Sequence, residues 1–250
     1  MTPETALVIF AAGAAAGWIN TVVGSGTLIT FPTLLALGYP PVVANVSNTL
    51  GLLPGSVSGA YGYRRELAGQ RPRIRSFGLW AAMGGAVGAG LLLALPAGVF
   101  RAAIPILISI AIVLVAAQPL ITRWLARRGV GTSPSSRVAK FLVFGAAVYG
   151  GYFGAAQSII IFALLSTFVP DTPQRLNALK VVLAATVNAI AAVVFIGLAP
   201  VSWPVVVLIA VGSFLGGFAG AAFGRRLSPG ALRIAMIAVA VVAIGRFLWS

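Results

Sequence analysis

Apolar residues fill the chain in ten stretches, roughly 5–23, 27–38, 42–62, 76–96, 101–122, 141–154, 156–169, 176–197, 203–224 and 230–249. A helix needs about 20 residues to cross a bilayer's hydrocarbon core, and most of these stretches reach that length. Three of them, 27–38, 141–154 and 156–169, fall short. Open strands and lipid-facing loops are excluded, because each unpaired backbone group in lipid costs several kcal/mol. The short stretches therefore predict broken helices that meet inside the protein.

Composition sharpens this into a membrane protein. Of 250 residues, 60% are hydrophobic and 8% charged, where a soluble domain carries about 25% charged residues to keep its surface hydrated. The chain has no cysteine and no histidine, which removes disulfides, thiolate nucleophiles and Cys/His metal sites. Its only carboxylates are Glu4, Glu66 and Asp171, each in a loop or near a segment end, so no interior pair exists for acid–base work or a proton relay. No catalytic constellation is present, which argues against an enzyme; no cofactor or metal is expected. No GxxxxGK[ST] loop occurs either, so ATP-driven transport would need another subunit.

The net charge of +14 is explained without nucleic acid. Arg64, Arg65, Arg71, Arg73 and Arg75 form one basic loop (63–75), and Arg123, Arg127, Arg128, Arg137 and Lys140 another (123–140). Both are expected in the cytoplasm by the positive-inside rule, with Arg225 and Arg226 a weaker third candidate and uncharged 198–204 outside. Glu4, with no Lys or Arg before the first apolar run, does not make a signal peptide, so the first helix is expected to be retained. Trp18, Trp80, Trp124, Trp203 and Trp249 fall near segment ends, as interfacial anchors do.

An internal repeat runs through the chain at an offset of 132 residues: Gly13-Ala14-Ala15 returns as Gly145-Ala146-Ala147, Asn45 as Asn177, and Arg101 as Arg233. Gly84-Gly85-x-x-Gly88-Ala89 returns as Gly216-Gly217-x-x-Gly220-Ala221, and eight of twenty positions match across 84–103, against roughly two by chance. Loop 63–75 is basic and its counterpart near 195–207 is not; the reverse holds for 96–100 and the segment after Arg225-Arg226. The halves therefore read as inverted repeats, as in secondary transporters. The expected fold is an all-α polytopic membrane protein of about 8–10 membrane helices or half-helices in two homologous halves. Residues 1–125 form the first repeat, 126–140 a basic cytoplasmic linker and 141–250 the second repeat. Five segments per half fit the parity, and so do three spans plus a re-entrant pair.

Candidate chemistry sits where each half is interrupted. Asn20, Thr21, Gly24, Ser25, Gly26 and Thr27 surround a break before Pro32. A helix restarting there points unpaired N–H groups and partial positive charge at an anion. The competing role for such glycines is close helix packing, which is the preferred reading for Gly84-Gly85-x-x-Gly88 and its copy. In the second half Gly150-Gly151-Tyr152-Phe153-Gly154 leads into Ala155-Ala156-Gln157-Ser158, a break expected to be weaker, with Gln157 either a donor to an oxyanion or an interhelical tie. Asn45 and Asn48, three apart, share a helical face, as do Asn177 and Lys180 at the same offset. A lysine inside an apolar run is a functional residue by default; the alternative is that it snorkels toward the interface near Pro173. Thr49, Ser56, Ser58, Thr186 and Asn188 continue these helices, some of them only as interhelical hydrogen-bond partners.

The run Ala16-Gly17-Trp18-Ile19-Asn20-Thr21-Val22-Val23-Gly24-Ser25-Gly26-Thr27-Leu28-Ile29-Thr30-Phe31-Pro32, then Leu37-Gly38-Tyr39-Pro40-Pro41-x-x-Ala44-Asn45, resembles the TauE/SafE sulfite exporter-like family. Ala60-Tyr61-Gly62-Tyr63-Arg64-Arg65-Glu66-Leu67 and Gln174-Arg175-Leu176-Asn177-Ala178-Leu179-Lys180 are also similar to it. The resemblance spans nearly the whole chain. It implies a transporter of sulfite, sulfonates or related small sulfur-containing anions across the cytoplasmic membrane. It maps the family's glycine-rich break to Gly24, Ser25 and Gly26, its paired polar helix to Asn45 and Asn48, and its second glycine-rich stretch to Gly150 through Gln157. The expected binding set is Asn20, Thr21, Gly24, Ser25, Gly26, Thr27, Asn45, Asn48, Gln157, Ser158, Asn177 and Lys180. Expected partners are a small anionic substrate, the lipid bilayer and, in an assembly compatible with the sequence, a second copy as a homodimer. With no interior carboxylate, protons could travel on the substrate as hydrogen sulfite. An anion channel and a non-transporting membrane scaffold are the competing functions.

Overall fold

The computed structural model describes residues 1–128 and 136–223, together with 230, 234, 236–242 and 245. Arg225, Arg226, Arg233 and Trp249, and residues 129–135, lie outside the described residues. Nine helices are complete among them: α1 (Pro3–Val22), α2 (Thr27–Ala36), α3 (Pro41–Gly62), α4 (Arg71–Ala94), α5 (Ala97–Arg128), α6 (Ser136–Tyr152), α7 (Gln157–Phe168), α8 (Pro173–Leu198) and α9 (Trp203–Phe223). Residues 236–242 are helical as well. The chain is thus an all-α polytopic membrane protein. Helices α1, α4, α5, α8 and α9 are long and apolar enough to cross a membrane, whereas α2 and α7 are short apolar helices.

Helix starts follow from local chemistry. Thr2 accepts a hydrogen bond from the Thr5 N–H (3.2 Å) ahead of Pro3, and Thr172 does the same for Arg175 (3.4 Å) ahead of Pro173. A hydroxyl cap satisfies one free amide, and proline at the first helical position gives none up. Pro72 likewise opens α4 from within the basic segment. The expected loop 63–75 is therefore a loop only to Gln70; Arg71, Arg73 and Arg75 stand on the first turns of α4. The second basic segment is also shorter as a loop than expected. Ala126–Arg128 close α5 and Ser136–Lys140 open α6, because Arg and Lys are good helix formers with solvated heads.

The structure is turned outward in the way lipid demands. Leu7, Leu79, Val113, Val193 and Val207 are more than half exposed, while Asn45, Ser47 and Asn48 on α3 are at most 1% exposed. Helix α3 carries its polar residues inward, against α8 and α9. Where helices meet, glycines set the distance. A Cβ on Gly84 would lie 2.7 Å from the Ala147 Cβ on α6, and one on Gly220 would lie 2.9 Å from the Trp18 carbonyl on α1. The Gly84-Gly85-x-x-Gly88 motif and its copy are contact surfaces, as the packing reading expects.

The 132-residue offset reappears in the elements. Helix α3 begins at Pro41 and α8 at Pro173; α4 begins at Arg71 and α9 at Trp203. Packing obeys the same exchange: α1 lies against α9 as α6 lies against α4, and α3 lies against α9 as α8 lies against α4. Helices α3 and α8 touch each other directly. Neither half has a core of its own, since its first helix is covered by the fourth helix of the other.

Candidate functional site

Each half breaks between its first and second helices, and both breaks use a left-handed residue. Gly24 has φ +97° and Gly154, which closes α6 as Gly24 closes α1, has φ +82°; in the second half Ala156 adds φ +61°. The expectation of a weaker second break is overturned: it carries the same left-handed glycine turn, and Ala156 at the start of α7 is left-handed as well, at a cost of roughly 1–2 kcal/mol, whereas Gly26 at the start of α2 has φ −57°. Helices α2 and α7 then restart from Gly26 and Ala156, neither with a side-chain cap. The Leu28 amide bonds to the Ser25 carbonyl (3.1 Å) and the Ile29 and Ile159 amides to the Gly26 and Ala156 carbonyls (2.9 Å each), and each helix start carries about half a positive charge.

The two breaks lie against one another. A Cβ on Gly24 would meet the Ser158 Cβ at 2.6 Å, the Ser158 Oγ at 3.4 Å and the Lys180 Nζ at 3.3 Å. A Cβ on Gly154 would meet the Thr27 Oγ1 at 3.9 Å. Asn45 on α3 donates through Nδ2 to the Tyr152 carbonyl (3.0 Å), tying the first half to the end of α6. Between the halves a cavity of about 10 Å³ is lined by Asn20, Thr21, Ser56, Ser158, Val181 and Ala184, room for roughly one water molecule. Two larger grooves, along Pro105–Leu114 and between α1, α2 and residues 238–242, have apolar walls and no such convergence.

Lys180 is 2% exposed and is the only charged side chain buried among the described residues. It does not snorkel, and no hydrogen bond or ion pair to it occurs among the described residues. The described carboxylates lie elsewhere: Asp171 is bound by Arg73 and by the Arg175 Nε (3.0 Å) in the α7–α8 loop. The Lys180 ammonium and Ser158, in the first turn of α7, thus lie together at the Gly24 turn that leads into α2, with no described carboxylate beside them.

The remaining sequence candidates divide by what already holds them. Ser25 (1% exposed) lies just before the N-cap of α2 and Gln157 (3%) is the first residue of α7, and the Ser25 Oγ and Gln157 Oε1 are buried without a hydrogen-bond partner among the described residues. Gln157 Nε2 donates to the Asn188 Oδ1 (3.4 Å) and Asn20 Nδ2 to the Ser56 Oγ (3.3 Å), the two acceptors being related by the repeat offset and the two donors not. Thr21 donates to the Gly17 carbonyl (3.0 Å). Asn48 is engaged on both sides: its Oδ1 accepts from Thr30, and its Nδ2 donates to the Thr27 Oγ1 (3.3 Å). It fastens α2 to α3, whereas its repeat partner Lys180 stays unpaired. Gly26 packs on the Ala16 backbone; Asn177 is half-buried and does not line the cavity, and Lys180 stands beside its Ser158 wall rather than in the lining. Ser56 and Asn188, read from sequence as interhelical partners, belong at the site; the repeat offset that relates them was the available signal.

Residues 9–247 match the family model described as "Sulfite exporter TauE/SafE". A "Probable membrane transporter protein" of Haemophilus influenzae is 27% identical over 220 residues, covering 86% of this chain and 83% of that protein. Similarly named proteins of Sinorhizobium (28% over 243 residues, 93% of this chain and 90% of the relative) and Escherichia coli K12 (26% over 244 residues, 97% and 89%) match across nearly their full lengths. No solved structure matches significantly.

Proposed function

The chain belongs to the sulfite exporter TauE/SafE family and is a multi-pass membrane transporter; from that premise we propose that it is a secondary transporter whose cargo is a small sulfur-containing oxyanion, sulfite or a sulfonate, carried across the cytoplasmic membrane. The observation that carries the reading is the buried ammonium of Lys180 beside Ser158, in the uncapped first turn of α7, and the Gly24 turn that leads into α2. Positive ends of interrupted helices aimed at the anionic group of a substrate are a recurring device of secondary transporters. Arg64 and Arg65, with the segment around Arg123, mark the cytoplasmic side in this reading.

The cavity draws Asn20, Thr21 and Ser56 from the first half and Ser158, Val181 and Ala184 from the second. Its size leaves no room for an oxyanion until the halves part. A site on the seam of two interlocked repeats would open to either side as one half rocks on the other. This arrangement favours a carrier over a channel, which would need a continuous path.

The test is counterflow in proteoliposomes. Unlabelled sulfite or a sulfonate trapped inside should drive transient accumulation of the labelled anion from outside, and Lys180→Gln should remove it. Uptake that never overshoots would indicate a channel, and no uptake of any sulfur oxyanion would refute the proposed cargo.

A further inference from the structure

We propose that the site selects by charge number: it takes oxyanions bearing a single negative charge, with an uncharged fourth substituent, over doubly charged ones of the same shape. This rests on the reading of the seam cavity as the substrate site and narrows it. Lys180 supplies one full positive charge, and no second charged side chain is buried among the described residues. Asn48, the residue the repeat places opposite Lys180, is neutral and already bonded to Thr27 and Thr30. One anion charge on one ammonium leaves the loaded site neutral. A second negative charge would be buried against partial helix charges alone, and an uncompensated buried ion costs far more than those dipoles return.

The walls divide in the same sense. Asn20, Ser56 and Ser158 offer polar atoms on the α1, α3 and α7 sides, and the unpartnered Ser25 Oγ lies beside the first break. On α8, Val181 and Ala184 present only methyl groups. Oxygens sharing one charge fit the Ser158 side, where the Lys180 Nζ reaches from α8 to the Gly24 turn, and an apolar substituent fits against Val181 and Ala184. Sulfate has an oxygen at every corner and would turn one toward the apolar wall; methanesulfonate replaces that oxygen with a methyl group.

These two anions are a matched pair for the test. Thermal stability of purified wild-type protein is titrated with each, and with sulfite, at equal ionic strength; a ligand that binds only the folded state raises the melting temperature in proportion to its affinity. Methanesulfonate should act at concentrations about tenfold or more below sulfate, the range in which one charge-assisted contact operates. In Lys180→Gln that preference should collapse. Sulfate binding as well as or better than methanesulfonate overturns charge selection while leaving an anion carrier in place. Stabilisation by none of the three removes the substrate site itself, and this inference with it. The wild-type comparison decides the matter even if the variant does not fold.

Discussion

Replacing Lys180 with methionine separates binding from stability, because the two should move in opposite directions. The lysine is 2% exposed, unpaired among the described residues, and lies beside the Gly24 turn and Ser158 of α7. A lysine at the centre of a membrane helix costs about 2.5–3.5 kcal/mol on insertion scales. Lys180→Met keeps the unbranched stem and removes the charge, so most of that cost should be recovered, less the loss of packing around the ammonium. We expect the ligand-free protein to gain about 2 kcal/mol, or roughly 4–8 °C in melting temperature for a chain of this length. Counterflow should fall to background in the same variant. The measurement is thermal unfolding of both proteins in one detergent, paired with transport in one lipid. A variant less stable than wild type by 1 kcal/mol or more, or one that still transports, would refute the reasoning: the lysine would then be a structural group with partners that satisfy it.

The left-handed positions Gly24 and Ala156 should respond in opposite ways. Gly24→Ala forces a Cβ to within 2.6 Å of the Ser158 Cβ at φ +97° and should cost about 2 kcal/mol with loss of transport; Ala156→Gly relieves strain and should be neutral or stabilising by up to about 1 kcal/mol. Both are read by thermal unfolding. At the α7–α8 loop, partial burial alone would raise the Asp171 pKa, but the Thr172 N–H and the Arg175 and Arg73 guanidinium groups outweigh it and hold the carboxyl below its ordinary value. The lowered folded value makes its contribution present above the usual carboxylate range and lost as pH falls through the depressed value. Asp171→Asn should therefore cost about 1 kcal/mol at neutral pH, discounted for the third-exposed arginines, and should flatten the acid limb of a stability–pH profile. Asn48→Ala should loosen α2 from α3 and cost about 1–3 kcal/mol by leaving Thr27 and Thr30 short of partners, visible as faster amide exchange in α2.

Hydropathy was enough to place the membrane helices because each buries or exposes some twenty apolar residues, and that signal is long. The boundary errors came where charge and helix propensity disagree: Arg71, Arg73 and Arg75 read as loop by charge yet open a helix behind Pro72. At the site, sequence could point to Lys180, Ser25 and Gln157 because a polar residue in an apolar run has few innocent explanations. It could not distinguish Asn48 from Lys180, since both sit at one repeat position and only their neighbours separate them. Thr30 and Thr27 engage one; Gly24 and Ser158 leave the other open. Nor could it foresee left-handed Ala156, because alanine by itself votes for continuing the helix and only the packing of the second half holds it out.

That contrast bears on how a repeated scaffold acquires a specific seat. Two inverted halves with identical side chains would offer a dianion two equivalent cations, or a neutral solute none. Here the backbone devices are shared, since each half breaks, turns left-handed and restarts an uncapped helix at the seam. The polar side chains are not shared: threonine opens α2 where glutamine opens α7, and α3 has an asparagine where α8 has its lysine. The shared backbone supplies two alternative ways of opening, and the unshared side chains supply one charge. Placing a second lysine at the equivalent position, Asn48→Lys, should then shift the sulfate-to-methanesulfonate ratio toward sulfate while weakening the fold, because the new ammonium displaces the ties to Thr27 and Thr30. A variant that folds, binds and keeps the wild-type ratio would mean that charge number is read elsewhere.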